Sequence, residues 1–145
     1  MLTENDNQPA AWFRIVSLTA LIWNSLGAGQ FLAKITMTND MIAKLPQVAQ
    51  DALAAEPLWY TAAFGVAVFA GVAGSLCLLL KKRLALTLLL TSLVAVLAQQ
   101  YYVFGISGIG HTLVGANMLM TLAIPAVAVL LILIARVANK RGWLL

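Results

Sequence analysis

Three long stretches of the sequence contain no Asp, Glu, Lys or Arg, and they constrain the fold more than any other feature. They cover residues 15–33, 57–80 and 84–135, which gives 19, 24 and 52 residues. About 20 apolar residues in a helix are enough to cross the hydrocarbon core of a bilayer, which is about 30 Å thick. The first two stretches therefore predict one membrane helix each, and the third predicts two helices joined by a turn.

Glycine marks the turn in the third stretch. Residues 101–111 contain three glycines, and clusters of this kind interrupt helices. We therefore expect an all-α integral membrane protein that forms one domain over residues 1–145. Its four transmembrane helices are predicted at about 13–33, 58–80, 84–103 and 112–135.

The composition agrees with this fold class. Of the 145 residues, 62% are hydrophobic and 10% are charged, whereas a soluble domain has about 25% charged residues. These values exclude a water-soluble globular domain and a nucleic-acid-binding module, although the net charge is +4. The expected partner of the chain is the lipid bilayer.

Lys and Arg are concentrated at one end of the predicted helices. Seven basic residues share that end: Arg14, Lys81, Lys82, Arg83, Arg136, Lys140 and Arg141. Because cytoplasmic segments carry an excess of Lys and Arg, we expect both termini in the cytoplasm and a multi-pass protein of the bacterial inner membrane. A cleaved signal peptide is the alternative interpretation of the first helix. Such a peptide usually begins with a basic segment, whereas Glu4 and Asp6 precede this helix.

Residues 38–56 form an amphipathic segment on the predicted outer face. Its apolar side recurs at helical spacing: Met37, Met41, Leu45, Val48 and Ala52. Proline is disfavoured inside a helix, so Pro46 predicts two short helices, at about 39–45 and 46–55. Two roles stay open for this segment: a connector that lies in the membrane interface, or a lid over a pocket between the helices.

The predicted spans carry no residue pattern that signals catalysis or ion coupling. Charges inside a membrane mark proton relays and ion-coupled pumps, and these spans have none in their interior. Cys77 is the one cysteine and His111 the one histidine of the chain, and neither has a partner at metal-ligand spacing. We therefore expect no enzyme activity, no metal site and no cofactor.

Uncharged polar residues are concentrated in the outer half of the predicted bundle. The candidates for a polar interior are Asn24, Gln30, Gln99, Gln100, Asn117 and Thr121. The third helix has a row at steps of four: Thr87, Thr91, Ala95 and Gln99. Residues four apart share a helix face, so this row is predicted to face the interior. Two interpretations stay open: these side chains hydrogen-bond between helices, or they line a cavity for an uncharged solute or a lipid headgroup.

The second helix has a row of small residues at steps of four: Ala63, Ala67, Gly71 and Ser75. Small residues let membrane helices approach closely, so this row predicts a helix-packing face. On the fourth helix, Pro125 removes one backbone hydrogen bond and predicts a kink.

Several segments, taken together, resemble a family of small bacterial four-helix integral membrane proteins, some members of which carry the label "sugar transporter". The segments are LIWNSLG (21–27), KITMT (34–38), EPLW (56–59), GSLCLLLKKR (74–83) and KRGWL (140–144). The resemblance covers residues 12–144. It implies transport of a neutral polar solute, and it brings no catalytic or binding residues with it.

Three functions of different classes are compatible with the sequence. The first is a transporter or permease component for a small neutral polar solute, acting as a homo-oligomer because four helices leave little room for two gated halves. The second is a non-catalytic accessory protein that associates with lipid or with a larger membrane complex. The third, an enzyme that acts on a lipid or quinone, has the least support. An internal repeat would favour transport, and the two helix pairs share neither motifs nor loop lengths.

Overall fold

The computed structural model describes residues 9–145, whose regular secondary structure is entirely helical. The α-helices are α1 (Ala11–Ile35), α2 (Asn39–Ala43), α3 (Gln47–Ala54), α4 (Leu58–Leu79), α5 (Leu84–Gln100) and α6 (Gly115–Lys140). A π-helical segment, Tyr101–Ile106, continues α5, and a 3₁₀ turn, Ile109–Thr112, precedes α6. Four helices are long and apolar enough to cross a membrane: α1, α4, α5 with its π-helical continuation, and α6. The all-α class with four membrane-length helices is confirmed.

The lengths of these four helices suit a bilayer. They have 25, 22, 23 and 26 residues, and a rise of 1.5 Å per residue makes them about 33 to 39 Å long. Each exceeds the hydrocarbon thickness of about 30 Å. The fold is therefore that of a multi-pass membrane protein.

Several predicted ends of the long helices differ from the structure by one to five residues, and the largest difference is at the C-terminal end of α6. The third membrane helix continues to Ile106 through the π-helical segment, and Gly108, with a φ of +68°, follows it. The last helix begins at Gly115, not at 112, and continues to Lys140, not to 135. The absence of charge predicts an end for α6 that is too early, because it marks only the membrane-embedded part of the helix, and helical hydrogen bonds continue beyond that part.

The segment between α1 and α4 folds as two short helices separated by Pro46. Helix α2 ends at Ala43, two residues earlier than predicted, and α3 begins after Pro46 because the proline is the N-cap residue. The Thr38 side chain caps α2 by accepting a hydrogen bond from the Met41 N–H at 3.4 Å. Neither short helix has a buried residue.

The long helices pack in the order α1, α4, α5, α6. Helices α4 and α5 make the most extensive contact, α1 packs on α4, and α6 packs on α5. Helices α1 and α6 are thus the two edges of the bundle. This order decides where a gap between helices can open.

Small residues allow α4 to approach both of its neighbours. Ala67, Gly71 and Ser75 are buried, and Ala63 is half-buried. A Cβ atom added at Gly71 would overlap the Asn24 side chain of α1 and would lie 3.3 Å from the Ser92 Oγ of α5. The row of small residues on α4 therefore lies between α1 and α5.

The half of the bundle near the 80–83 turn and the C-terminus, here called the packed half, contains the larger of two buried apolar clusters, here called the apolar core. Its buried residues are Phe13, Ala20, Leu78, Ala85, Leu89, Leu131, Ile132, Ala135, Ala138, Trp143 and Leu144. The rings of Phe13 and Trp143 lie 5.5 Å apart, edge to face, and Trp12 lies 5.9 Å from Trp143. These rings join the start of α1 to the segment that follows α6.

Backbone hydrogen bonds close the packed half. Lys81 has a φ of +59° in the turn between α4 and α5, a conformation that is uncommon for a residue other than glycine. The Leu145 N–H donates to the Lys81 carbonyl at 2.6 Å, and the Arg83 N–H donates to a main-chain oxygen of Leu145 at 3.0 Å. The residues after α6 thus hold this turn in place.

Candidate ligand-binding cleft

A cavity of about 540 Å³ lies between the four long helices, in the half of the bundle near the 36–57 loop. We call it the cleft, and this half of the molecule the cleft half. Its volume is within the range of small-molecule pockets, about 300 to 1,000 Å³. Its polar lining residues are Asn24, Gln30, Lys34, Tyr60, Ser92, Gln99, Gln100 and Thr121. Every long helix contributes to the wall.

The cleft brings together the predicted polar residues except Asn117. Asn117 is exposed and lies in the first turn of α6, whereas the α6 residues that line the cleft begin at Met120. The expectation that Asn117 contributes to the cavity is therefore wrong. Its backbone carbonyl accepts a hydrogen bond from the Thr121 hydroxyl at 2.8 Å.

Asn24 lies in the wall of the cleft and joins α1 to α4. Its Nδ2 donates to the Ser75 Oγ at 3.0 Å and to the Ala20 carbonyl at 2.9 Å. Ser75 is fully buried. A second interhelical bond runs from the buried Ser92 Oγ of α5 to the Ala67 carbonyl of α4 at 2.6 Å. These two bonds act as the packing contacts that one of the interpretations expects.

Gln100 joins α5 to α6 through a carbonyl that Pro125 leaves unpaired. In a regular helix, the N–H of residue 125 would donate to the carbonyl of Thr121, but proline has no N–H. The Gln100 Nε2 donates to that carbonyl instead, at 2.8 Å. The position of the proline thus explains why an amide side chain is held at this point of the cleft.

The other atom of this amide is unpaired. Gln100 Oε1 is buried and has no hydrogen-bond partner within residues 9–145. A buried acceptor without a partner costs about 1 to 3 kcal/mol. Because Nε2 is already engaged, Gln100 presents an acceptor, and a group that pairs with it must be a donor.

An ion pair lies at the polar end of the cleft. Lys34, near the end of α1, pairs with Glu56, just before α4, and both side chains are largely buried. The Thr61 hydroxyl also donates to Glu56 at 2.8 Å. The Lys34 ammonium lies 5.2 Å from the centre of the Tyr60 ring, within the range of a cation–π contact.

Sequence reasoning missed Lys34, Tyr60 and Ser92 as cleft residues. A signal for Lys34 exists, because it follows Gln30 by four residues and so shares its helix face. Tyr60 stands at the start of a membrane helix, and Tyr and Trp at such positions usually lie at the membrane interface. A tyrosine at that depth can lie either at the membrane interface or in the cleft, and the sequence offers no signal to choose between these two positions.

The predicted interior row of α5 is wrong for Thr87 and Thr91. Both are exposed, and the Thr91 hydroxyl donates to the Thr87 carbonyl at 3.0 Å. The buried face instead follows Leu89, Ser92 and Val96. A step of four residues overshoots a full turn by about 40°, so a row at constant steps of four leaves the interior face after a few steps.

The short helices α2 and α3 contribute no residue to the lining of the cleft. Among the residues described, the lining comes from the four long helices and the π-helical segment alone. Tyr102, in that segment, packs against Tyr60 with ring centres 4.7 Å apart, and its hydroxyl donates to the Ala55 carbonyl at 3.3 Å. Comparisons with family models, with curated proteins and with solved structures find no match for this chain, so its function is inferred from the cleft.

Proposed function

We propose that this chain binds a small, uncharged, hydrogen-bonding ligand in the cleft. The observation that carries this proposal is the buried Gln100 Oε1, which has no partner among the described residues. A hydroxyl or amide N–H of a bound ligand would supply the missing donor. The arrangement of Gln100 is fixed by its bond to Thr121, so this acceptor is already in position before a ligand arrives.

The charges of the cleft favour an uncharged ligand. Lys34 is the charged residue in the lining, and Glu56 neutralises it. The remaining polar lining groups are amides and hydroxyls. A charged ligand in this low-dielectric position would have no free counter-charge, and burial of an unpaired charge is costly.

We further propose that the protein lies in the bacterial inner membrane with both termini in the cytoplasm. The basic residues at the packed end support this orientation through the positive-inside rule. The cleft would then open toward the outer leaflet.

In a Cys77→Ser background, single cysteines at Gln50 and Ser107 should react with an impermeant thiol reagent added to intact cells. A cysteine at Asn139 should react only after permeabilisation. Its reaction in intact cells would show that the orientation is the opposite one.

Transport is the biological role that this proposal favours. The resemblance to the four-helix family supports a neutral polar solute as cargo, and one copy is too small for two gated halves, which supports a homo-oligomer. The second candidate is a non-catalytic accessory protein that associates with lipid or with a membrane complex. The Asn24–Ser75 and Ser92–Ala67 bonds favour it, because they show that part of the polar lining serves packing.

A thermal-unfolding screen separates binding from packing. Purified protein in nanodiscs is heated with neutral sugars and polyols, since a ligand that binds the folded state raises its Tm. We expect at least one solute to stabilise the wild type and the Asn117→Leu variant but not Gln100→Leu. The two variants make the same kind of change, one inside the cleft and one outside it. If no solute shifts the Tm, or if the shift survives in Gln100→Leu, the accessory role is favoured.

A further inference from the structure

Building on the proposed binding site, we infer that its ligand is an amphiphile taken from the bilayer, with a hydroxyl headgroup and one apolar chain. Three features of the cleft lead to this class of ligand: a gradient of polarity along its length, an opening toward lipid between α1 and α6, and a buried unpaired acceptor at its polar end.

The polarity of the cleft changes along the membrane normal. Its polar end, near the 36–57 loop, includes Gln30, Gln100 and Thr121, and its deep end is lined by Leu89 and Leu131 of the apolar core. The two polar residues toward that end, Asn24 and Ser92, already donate to Ser75 and to the Ala67 carbonyl. Leu89 is 11 residues from Gln100 along α5, which corresponds to about 16 Å. A molecule that fills the cleft therefore needs a polar head and an apolar tail, in the orientation of a lipid in one leaflet.

The cleft opens between the two edge helices. Helix α1 packs on α4 and α6 packs on α5, so the cleft lies over α4 and α5 with α1 and α6 as its sides. Leu26 of α1 lines the cleft and is 66% exposed, and Met120 and Ile124 of α6 line it and are 53% and 38% exposed. In a membrane, large apolar residues exposed at this depth face lipid chains. A bilayer-dissolved molecule can enter here without crossing the polar surface.

The headgroup of the ligand must be an uncharged hydrogen-bond donor. Within the described chain, Gln100 Oε1 is the buried side-chain polar atom that lacks a partner, and it can only accept. A hydroxyl satisfies it, whereas an ether, ester or phosphate oxygen cannot. Lys34 is the charged residue in the described lining of the cleft, and Glu56 neutralises it, which disfavours phospholipid headgroups as the bound group.

Fluorescence quenching of Trp23, which lines the cleft, tests this inference. The protein is placed in dioleoylphosphatidylcholine nanodiscs and titrated with 12-bromo-1-dodecanol, whose bromine quenches tryptophan at short range. We expect a saturable quenching component that is absent in the Trp23→Phe variant. The matched probe is the methyl ether of the same bromoalcohol, which has the same chain but no donor. Loss of one hydrogen bond, about 1 kcal/mol, should weaken its binding about five- to tenfold.

Each result has a defined meaning. Three results together support the inference: the alcohol quenches saturably, the ether binds the wild type more weakly than the alcohol does, and the alcohol binds Gln100→Leu more weakly than Asn117→Leu. Quenching that does not saturate, or that persists in Trp23→Phe, overturns it, and so does equal binding of alcohol and ether. If the amphiphile fails while a soluble polyol stabilises the wild type but not Gln100→Leu, the proposed function stands and only this inference falls. If both fail, both proposals fall.

Discussion

The packed half and the cleft half of the bundle are built from the same four helices, yet the contacts between these helices differ between the two halves. In the packed half, large apolar side chains such as Leu78 and Ile132 fill the space between helices, and the Phe13 and Trp143 rings join the two ends of the chain. In the cleft half, each edge helix is tied to its inner neighbour: α1 to α4 through Lys34 and Glu56, and α6 to α5 through Gln100.

The difference shows how a small bundle can hold both a stable core and a cavity. Contacts that join α1 to the end of the chain keep the packed half closed, while contacts within each edge pair let α1 and α6 diverge in the other half. Lipid chains are as apolar as leucine, so the hydrophobic effect does not drive membrane helices together. The packing density between the helices therefore governs stability in a membrane. Stability is therefore expected to reside in one half and ligand binding in the other.

The largest expected effect is the loss of a core side chain from the packed half. Leu78 is fully buried, so Leu78→Ala leaves a cavity and should lower the free energy of unfolding by about 2 to 4 kcal/mol. The matched change in the cleft half, Leu26→Ala, removes a side chain that is 66% exposed and should cost less than about 1 kcal/mol. Thermal or denaturant unfolding in nanodiscs measures both. Equal losses would show that the two halves are equally packed.

The next effect tests the close approach of α4 to its neighbours. Gly71→Leu places a side chain where even a Cβ atom would overlap Asn24, and overpacking of this kind costs about 1 to 3 kcal/mol. Gly29→Leu on α1 is the control, because a Cβ atom there meets no atom of residues 9–145 within 4 Å apart from its chain neighbours and the nearby backbone of its own helix. The Gly29 variant should unfold close to the wild-type temperature. A Gly71 variant as stable as the Gly29 variant would mean that α1 and α5 lie further from α4.

Much of the fold follows from the sequence because a membrane imposes strong local rules. The absence of charge over 15–33, 57–80 and 84–135 identifies the four long helices, since each must bury its backbone polar groups within itself. The helix ends are less well defined, because a helix such as α6 continues through Lys140 once its apolar part has ended.

The site is less predictable because it depends on the distances between helices. The amides that line the cleft can be recognised as a polar cluster, but the sequence does not show that Asn24 is paired with Ser75 while Gln100 Oε1 lacks a partner in the described chain. The same kind of side chain thus serves packing in one place and remains free in another. The error at Thr87 and Thr91 has a simpler cause, the drift of a four-residue step around the helix.

The smallest expected effect concerns the hydrogen bond from Gln100 to the Thr121 carbonyl, which links the edge helix α6 to α5 at the carbonyl that Pro125 leaves unpaired. Pro125→Ala restores an N–H that can donate to the Thr121 carbonyl, so this carbonyl no longer needs Gln100. In the wild type, Gln100→Leu removes the donor of that carbonyl and should be destabilising. In the Pro125→Ala background the same change should cost less, with a coupling energy of about 0.5 to 1 kcal/mol in a double-mutant cycle of unfolding free energies. Strictly additive effects would show that Gln100 does not compensate for the proline, and that another contact holds α6 against α5 in the cleft half.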